Sequence, residues 1–234
     1  MLNIFRDYFL KLVDKSVKQN QNNILKFTDP YNTHTMIDLG CDDGTWTLQV
    51  ATEARAQEVH GVEIVKDRAK LAQEKGIKIK VSDLNQKIEY EDCSFDFVLS
   101  NQVIEHIKDT DLFVSEIYRI LKPNGYTIIS TENLSSTHNI FALMLGFQPF
   151  SMTNFSSKGT IGNPLALWND KPIDRCTSWQ HNRLFSIKGL QDLLKKHGFI
   201  IEGVKTAGYY PLCGFISNID SIHGHWLTIK ARKP

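Results

Sequence analysis

The 234-residue chain is poor in cysteine and has no excess of charge of either sign. Its four cysteines are far apart, and no two form the Cys-x-x-Cys pair of zinc sites or the dense framework of small secreted proteins. Lys and Arg number 27 against 26 Asp and Glu, so the formal net charge is +1 and no basic surface for a nucleic-acid backbone is predicted. We therefore expect reduced thiols, a cytoplasmic location, no metal site and no nucleic-acid partner.

The sequence also lacks an apolar run of the roughly 20 residues that a membrane-spanning helix needs. At the N-terminus, charges interrupt the apolar positions of MLNIFRDYFLKLVDK, which has neither the apolar core nor the cleavage site of a signal peptide. Its apolar residues recur at helical spacing and predict a helix over about residues 1–20. We expect a soluble chain with at most peripheral contact with a membrane.

Short apolar runs alternate with helix-length amphipathic segments along the chain. This pattern predicts a single α/β domain over residues 1–234, with a Rossmann-like, seven-stranded, mostly parallel sheet and helices on both faces. The last strand follows the sixth without room for a crossover helix, so we expect it to be antiparallel. The predicted strands are residues 33–40, 58–64, 78–83, 95–101, 125–131, 199–208 and 225–233, and the predicted helices are residues 45–55, 65–75, 109–121 and 187–197.

The first predicted strand runs into the loop Asp38-Leu39-Gly40-Cys41-Asp42-Asp43-Gly44, which precedes a helix. Open α/β sheets bind ligands at the carboxyl ends of their strands, where the next helix also offers unpaired N–H groups. Gly40 and Gly44 suit positions where the backbone approaches a ligand closely or adopts unusual dihedral angles. A plain strand-to-helix turn explains a two-glycine loop equally well.

Two further acidic residues stand at predicted strand ends. Glu63 lies roughly 20 residues beyond the first loop, the spacing at which a carboxylate can bridge ribose hydroxyls. Asp83 stands beside the apolar Leu84 and can accept a hydrogen bond from an adenine amino group, although a cap for the next segment is an equally good role. Together with the loop, these positions indicate a cofactor that contains adenosine.

Five ordered segments resemble the motifs of class I S-adenosylmethionine-dependent methyltransferases of the small-molecule, type 11-like kind. They are IDLGCDDG, VHGVEI, VSDL, FDFVLSNQVIEHI and EIYRILKPNGYTIIST, and the resemblance is close over residues 33–131. It implies that S-adenosylmethionine is the cofactor and S-adenosylhomocysteine the product. It also implies that the methionine part lies against Asp38, Gly40, Cys41, Asp42 and Gly44, the ribose against Glu63, the adenine against Asp83 and Leu84, and the methyl group against Asn101 and Gln102, with Ile64 as a further cofactor contact.

Asp42 departs from the family pattern, which usually has a second glycine at this position. Aspartate tolerates the left-handed backbone conformation better than most residues, so we expect the turn to survive. The Asp42 carboxylate is also a candidate contact of the cofactor's ammonium or sulfonium group. Replacement by glycine is then expected to change cofactor affinity only modestly.

Methyl transfer from a sulfonium needs mainly positioning and a desolvated pocket, with a base where the acceptor is a hydroxyl or an amine. His106 is the first candidate base, because SNQVIEHI places it about a turn past the fourth strand. A structural histidine is the alternative. His181 is a second candidate catalytic residue, on the acceptor side. His138 is a further candidate for that side, and the alternative for both is an exposed loop histidine. Glu105 is expected to be a polar contact.

Residues 133–182 form an insertion too long for an ordinary connection, and we interpret it as a lid or binding element, with a small secondary core as the alternative. Its segment NIFALMLGFQPF resembles regions of methyltransferases associated with glycans and lipid-linked intermediates. The expected acceptor is therefore a small molecule, a glycan or a lipid-linked compound. The large apolar side chains of the insertion include Phe141, Met144, Phe147, Phe150, Phe155, Trp168 and Trp179.

Two other classes of protein share the early motifs. A NAD(P)-dependent oxidoreductase also has a glycine loop and a ribose carboxylate, but its usual loop has three glycines, and the chain has nothing that resembles a hydride-transfer site. A non-catalytic adenosylmethionine-binding module has the same pocket without turnover. We expect an enzyme that methylates an oxygen or nitrogen atom.

Overall fold

The computed structural model of the protein describes residues 2–152, 155–156, 158–165, 180–209 and 220–234. Helices and strands alternate through most of these residues. The helices are α1 (Leu2–Leu25), α2 (Thr45–Ala54), α3 (Lys66–Glu74), α4 (Thr110–Ile120), α5 (Thr137–Met144) and α6 (Ile187–Lys196), and a 3₁₀ helix spans Ile104–His106. The strands are β1 (Thr35–Leu39), β2 (Glu58–Glu63), β3 (Lys78–Val81), β4 (Phe95–Asn101), β5 (Leu121–Glu132), β6 (Phe155–Ser156), β7 (Gly159–Thr160), β8 (Ile200–Ala207) and β9 (Trp226–Arg232).

Seven strands form one sheet in the order β3-β2-β1-β4-β5-β9-β8, while β6 and β7 form a separate hairpin. The first five strands are parallel, and Asp38 of β1 pairs with Gly61 on one side and with Leu99 on the other. β9 lies between β5 and β8 and is antiparallel to both. The predicted fold class, including the antiparallel last strand, is confirmed. This topology brings the ends of β1, β2, β4 and β5 to one edge of the sheet.

Helices cover both faces of the sheet because their apolar stripes must be buried. On one face, Ile24 of α1 and Val50 of α2 pack with Phe97 and Tyr126. On the other face, α4 and α6 pack against a larger cluster that includes the fully buried Ile117. Full burial of one such side chain contributes roughly 1.5–3 kcal/mol. The two cores hold the strand ends in fixed positions.

Most predicted bounds agree with the structure to within two residues, but two elements differ. Helix α1 continues beyond residue 20 to Leu25. Strand β5 starts at Leu121 instead of residue 125, because Leu121 pairs with Phe95 before the register shifts, and Tyr126 then pairs with Phe97. Helix α4 consequently ends at Ile120 rather than at residue 121.

The described part of the insertion contains α5 and the β6–β7 hairpin. Asn139 of α5 is fully buried, and its Nδ2 donates to Asn133 O (3.0 Å) and to Ser151 Oγ (3.1 Å), which fixes α5 to the end of β5. Phe141 and Met144 are exposed to solvent, whereas Phe147 and Phe150 are half-buried. Trp168, Trp179 and the side chain of Phe155 lie outside the described residues.

Candidate cofactor and acceptor site

Two glycines with positive φ shape the loop between β1 and α2. Gly40 has φ +82°, and a Cβ at this position would lie 2.5 Å from Val103 Cγ2. Gly44 has φ +77°, and a Cβ there would lie 2.4 Å from Ile77 Cδ1. Both positions therefore require glycine for the backbone conformation and for space. The close neighbours of these glycines are side chains of the protein itself.

Asp38 is a buried carboxyl group at the end of β1. Its Oδ2 accepts a hydrogen bond from Thr47 Oγ (2.6 Å), while its Oδ1 is buried and has no partner among the described residues. Burial raises the pKa of Asp38 to about 7, with a further upward contribution from Glu63, although the Thr47 hydrogen bond acts in the opposite direction. An unpartnered buried oxygen of this kind suits a cationic donor from a ligand.

Glu63 is held in one orientation at the end of β2. Its Oε2 accepts from the backbone N–H of Asp42 (3.0 Å), and its Oε1 accepts from that of Val65 (2.8 Å). The side chain is largely buried, with 9% of the residue exposed. Because an ionised carboxylate offers about four lone-pair sites, it can accept further hydrogen bonds. This is the capacity that paired ribose hydroxyls require.

Asp42 adopts the left-handed conformation with φ 49°, so the turn accommodates aspartate in place of glycine. Its carboxylate forms a two-point ion pair with Arg68 of α3, in which Nη2 lies 2.6 Å from Oδ2 and Nε contacts Oδ1. The structure thus gives this carboxylate a protein partner, and its contact with the cofactor stays a prediction. The side chain of Cys41 packs under Gly61, which leaves only the Cys41 backbone for a cofactor contact.

Two polar side chains at the end of β4 have buried atoms with unmet hydrogen-bonding capacity. Asn101 Oδ1 and Gln102 Nε2 find no partner within the part of the chain that the structure describes. Gln102 also has φ 58°, and its backbone N–H donates to Ser130 O (2.8 Å). Since β1 and β4 are neighbours, the strand ends bring these atoms and Asp38 Oδ1 to the same edge. The edge has the polar groups needed to hold a cofactor with an ammonium and a carboxylate.

The residues assigned to the adenine are more exposed than Asp38 and Glu63. Asp83 is exposed, and its Oδ1 accepts from the backbone N–H and the Nδ2 of Asn85 (2.9 and 2.8 Å). This is the turn-capping role that the sequence offered as the alternative. Leu84 is half-buried against the core, and Ile64 is 47% exposed at the end of β2. A role for these residues at the adenine stays a prediction.

The two candidate bases lie side by side on the acceptor side, by which we mean residues 104–106 and 180–183. The rings of His106 and His181 are 4.8 Å apart between centroids. Asn182 holds them together, because its backbone N–H donates to Glu105 O (2.7 Å) and its Nδ2 to His106 O (2.6 Å). The fold therefore brings two distant segments together next to the end of β4.

The environments of the two histidines move their pKa values in opposite directions. Burial lowers the pKa of His106 to about 4, and the nearby His181 acts in the same direction. Burial also acts to lower the pKa of His181, but the carboxylates of Glu132 and Glu105 outweigh it and raise this pKa to about 9. At neutral pH His106 is therefore a neutral imidazole and His181 an imidazolium ion.

Two buried glutamates lie next to these histidines, and the sequence singled out only one of them, Glu105, as a polar contact. Glu105 is fully buried, and its Oε2 accepts from Thr131 Oγ (2.8 Å), while burial raises its pKa to about 7. Glu132 was not considered, although its Oε2 lies 3.2 Å from His181 Nδ1. The available signal was its position: Glu132 ends β5 as Glu63 ends β2.

The acceptor side brings metal-ligating types of side chain together. One donor atom from each of Glu105, His106 and His181 lies within 4.8 Å of the others. Histidine binds metal ions as neutral imidazole, however, and the Glu132 carboxylate stabilises the protonated form of His181. The arrangement is better suited to holding a proton than a metal ion.

Comparison with known proteins identifies the family. Residues 6–203 match the family model described as a methyltransferase domain. The chain therefore belongs to the methyltransferase domain family and is a class I S-adenosylmethionine-dependent methyltransferase. A NAD(P)-dependent oxidoreductase is no longer an alternative.

Two curated relatives illustrate the range of the family. Phosphoethanolamine N-methyltransferase 2 of Caenorhabditis elegans is 35% identical over 118 residues, which cover 48% of this chain and 27% of the relative. The mitochondrial ubiquinone biosynthesis O-methyltransferase of Mus musculus is 25% identical over 195 residues, which cover 80% of this chain and 46% of the relative. The chain thus spans less than half the length of these two relatives.

Solved structures share the fold. An S-adenosylmethionine-dependent methyltransferase from Mesorhizobium loti has a TM-score of 0.61 at 20% identity, over 90% of this chain and 96% of the other. Phosphoethanolamine N-methyltransferase 2 of Haemonchus contortus, in complex with S-adenosyl-L-methionine, has a TM-score of 0.61 at 23% identity, over 92% of this chain and 52% of the other.

Proposed function

We propose that the chain transfers a methyl group from S-adenosylmethionine to an oxygen or nitrogen atom of a small-molecule acceptor. The supporting observation is that unpartnered atoms of Asp38, Asn101 and Gln102 gather at one edge of the sheet, to which His106 and His181 are adjacent. When bound, the cofactor supplies a methyl group already activated by its sulfonium. The protein then needs to orient the acceptor, exclude water and take up a proton.

The residues proposed to hold the cofactor divide by chemical type. The Asp38 carboxyl would accept from the ammonium group, and the Glu63 carboxylate from the ribose hydroxyls. Apolar Leu84 and Ile64 would contact the adenosine, with Asp83 at its amino group. The remaining proposed contacts are the backbone of Gly40, Cys41, Asp42 and Gly44 at the methionine part, and Asn101 and Gln102 near the methyl group.

Between the two candidate bases, we favour His181 over His106. A general base accepts a proton in its neutral form, and its affinity for that proton follows its pKa. Burial gives His106 a pKa of about 4 and hence little affinity for a proton. His106 would instead line the acceptor side as a neutral hydrogen-bonding group, oriented by the contact of its Nδ1 with Gln180 O (3.1 Å).

The identity of the acceptor is a further proposal. The two relatives are named for methylation of phosphoethanolamine nitrogen and for ubiquinone biosynthesis, so both amine and hydroxyl acceptors are candidates, as are glycan and lipid-linked compounds. We also propose that residues 1–234 form one domain with an acceptor-side insertion over residues 133–182. A cytoplasmic location is supported by Cys41 and Cys93, which are free thiols.

Transfer of labelled methyl groups tests the proposed function. Purified protein is incubated with radiolabelled S-adenosylmethionine and either catechol or phosphoethanolamine as the acceptor probe. Incorporation above the protein-free background, and its loss in Asp38→Asn, is the expected result. Binding of S-adenosylhomocysteine without transfer to either probe or to a lipid extract would instead indicate a non-catalytic binding module.

Cofactor binding is expected to release protons near neutral pH. With a pKa of about 7, Asp38 is half protonated at pH 7, and a bound cation lowers that pKa. Binding then releases up to about half a proton at pH 7 and almost none at pH 9. Calorimetry in two buffers of different ionisation enthalpy measures this number. Glu105→Gln should retain the release and Asp38→Asn should lose it; equal release in both variants contradicts the assignment.

Peripheral membrane contact is proposed through α5, consistent with a lipid-linked acceptor. Leu143 and Met144 are 52% and 78% exposed, and residues 133–165 contain no Asp or Glu that would repel anionic lipids. None of the described helices is long and apolar enough to cross a bilayer. Phe147, another large apolar residue of the insertion, is half-buried.

The double variant Leu143→Ser, Met144→Ser is expected to co-sediment several-fold less with vesicles of phosphatidylglycerol and phosphatidylcholine, because it lacks two exposed apolar side chains. The control is Ile200→Ser, which removes a similarly exposed apolar side chain (57%) from β8. Absence of wild-type binding to these vesicles would exclude the proposed contact.

A further inference from the structure

Four of the eight histidines and two glutamates form a partly buried cluster at the ends of β4, β5 and β9. His138 Nε2 lies 3.1 Å from His225 Nδ1, and His225 Nε2 lies 3.7 Å from Glu132 Oε1. Glu132 Oε2 in turn lies 3.2 Å from His181 Nδ1. These contacts, with the His106–His181 ring contact, define the histidine cluster, whose members are Glu105, His106, Glu132, His138, His181 and His225.

Glu132 is the centre of this cluster. Only 6% of the residue is exposed, and each carboxylate oxygen faces the ring of a different histidine. A buried carboxylate is costly unless a positive charge compensates it. The two neighbouring histidines are the groups placed to carry the compensating proton.

The geometry assigns the compensating charge to His181 rather than to His225. His181 is the closer of the two to the carboxylate, at 3.2 Å against 3.7 Å, and its Nδ1 also lies 2.5 Å from Ser151 O, which can accept only from an N–H and so fixes a proton on Nδ1 in either charge state. Burial, together with His138 and His181, lowers the pKa of His225 well below its ordinary value. His225 is therefore a neutral member of the cluster.

The groups that face His181 come from four parts of the fold. Glu105 and His106 belong to the 3₁₀ helix, and Glu132 to β5. His225 precedes β9, and Ser151 O comes from the insertion. Glu105 and Glu132 favour the charged form of His181, while His106 and His225 are both neutral at neutral pH. Glu132 is the carboxylate within ion-pair distance of His181, and its Oε2, at 3.2 Å from Nδ1, has no hydrogen bond to another described residue.

We propose that Glu132 is a positioning residue for methyl transfer: it holds His181 in place and strengthens it as the base that takes the proton from a hydroxyl acceptor. This inference rests on the proposed function and adds a residue and an acceptor class to it. In the step, the acceptor O–H bond breaks and its proton passes to the imidazole of neutral His181. The oxygen keeps the electron pair and bonds the methyl carbon, while the donor sulfur keeps the pair of the broken C–S bond.

A hydroxyl acceptor matches the proton affinity of this base. Ionisation of a phenolic hydroxyl, like that of tyrosine, occurs near pH 10. The pKa of about 9 for His181 lies close to this value, whereas that of about 4 for His106 is far below it. Proton transfer is most efficient when the affinities of donor and acceptor are similar. An amine acceptor attacks as the free base and does not need proton removal beforehand.

The test compares wild type with Glu132→Gln, which keeps the shape of the side chain and removes its charge. We expect the titration midpoint of His181, followed by ¹H–¹³C NMR and assigned with His181→Gln, to fall by one pH unit or more from about 9. With catechol as the probe, kcat of the variant should stop rising at a correspondingly lower pH than kcat of wild type. Above pH 9, kcat of the variant should be roughly tenfold lower than that of wild type, with KM little changed.

Glu58→Gln is the matched control, because Glu58 pairs with His60 (3.5 Å) on β2. It should move the titration of His60 and leave His181 and turnover unchanged. Glu132→Asp keeps the charge on a shorter side chain and should give an intermediate midpoint, which preserves the test if Glu132→Gln does not fold. A His181 midpoint or pH profile unchanged from wild type in the folded variant overturns the proposal. Failure of the proposed function is a separate result, because the NMR titration needs no turnover.

Discussion

Replacing Glu63 with alanine is expected to weaken S-adenosylmethionine binding by a hundredfold or more. The carboxylate is proposed to accept two hydrogen bonds from the ribose, and hydrogen bonds to charged groups contribute about 1.5–3 kcal/mol each. Losing two removes at least about 3 kcal/mol, which corresponds to a factor above 100 in Kd. The variant also releases the N–H groups of Asp42 and Val65, which Glu63 holds in place. The loop around the methionine part therefore loses its support as well.

Isothermal calorimetry with S-adenosylhomocysteine measures this loss directly. Glu58→Ala is the control, since Glu58 lies at the other end of β2 and pairs with the exposed Lys78. The control should bind like wild type. A Glu63→Ala variant that folds and binds within threefold of wild type would contradict the ribose assignment.

Replacing Gly40 with alanine is expected to destabilise the protein by about 2–5 kcal/mol and to abolish measurable cofactor binding. A left-handed conformation costs an alanine roughly 1–2 kcal/mol, and forcing a methyl group into filled space costs about 1–3 kcal/mol more. The new Cβ would lie 2.5 Å from Val103 Cγ2, next to Gln102 and the end of β4. Relief of this clash must move either the loop or β4, and both carry proposed cofactor contacts.

Gly76→Ala separates the cost of the left-handed backbone conformation from the cost of the clash with Val103. Gly76 also has a positive φ (+90°), but no described atom lies within 4 Å of its would-be Cβ. The Gly76→Ala variant should lose only about 1–2 kcal/mol of its free energy of unfolding, from the backbone conformation, and should bind the cofactor normally. Urea denaturation of both variants gives the difference. Equal free energies of unfolding would show that the contact with Val103 is unimportant.

The fold could be predicted from the sequence because local patterns determine most of its elements. Strands β1 and β4 are short apolar runs, and α6 ends before Gly198, which has φ +90°. The start of β5 could not be found in this way, because it depends on the pairing of Leu121 with Phe95 across the sheet. Helix α5 was also missed, since its exposed apolar positions lack the amphipathic pattern that marks a helix on a core.

The candidate site was predictable at the level of strand ends but not of side-chain partners. Glu63 and Asp83 were selected because parallel strands end at one edge of the sheet, whereas Asp38 and Asn101 were selected through the resemblance to the family. The Arg68 partner of Asp42 and the contact of His181 with Glu132 join residues that no local pattern connects. Likewise, burial decides which histidine is neutral, and burial is a property of the folded chain.

The unpartnered atoms of Asp38, Asn101 and Gln102 also affect how this chain tolerates mutation. A buried polar atom without a partner costs about 1–3 kcal/mol. An apolar side chain of similar shape at any of these positions should therefore make the ligand-free protein more resistant to unfolding. Screens that select for thermostability alone will favour such changes and lose the cofactor. This edge of the sheet is thus where stability and activity impose opposite demands on the sequence.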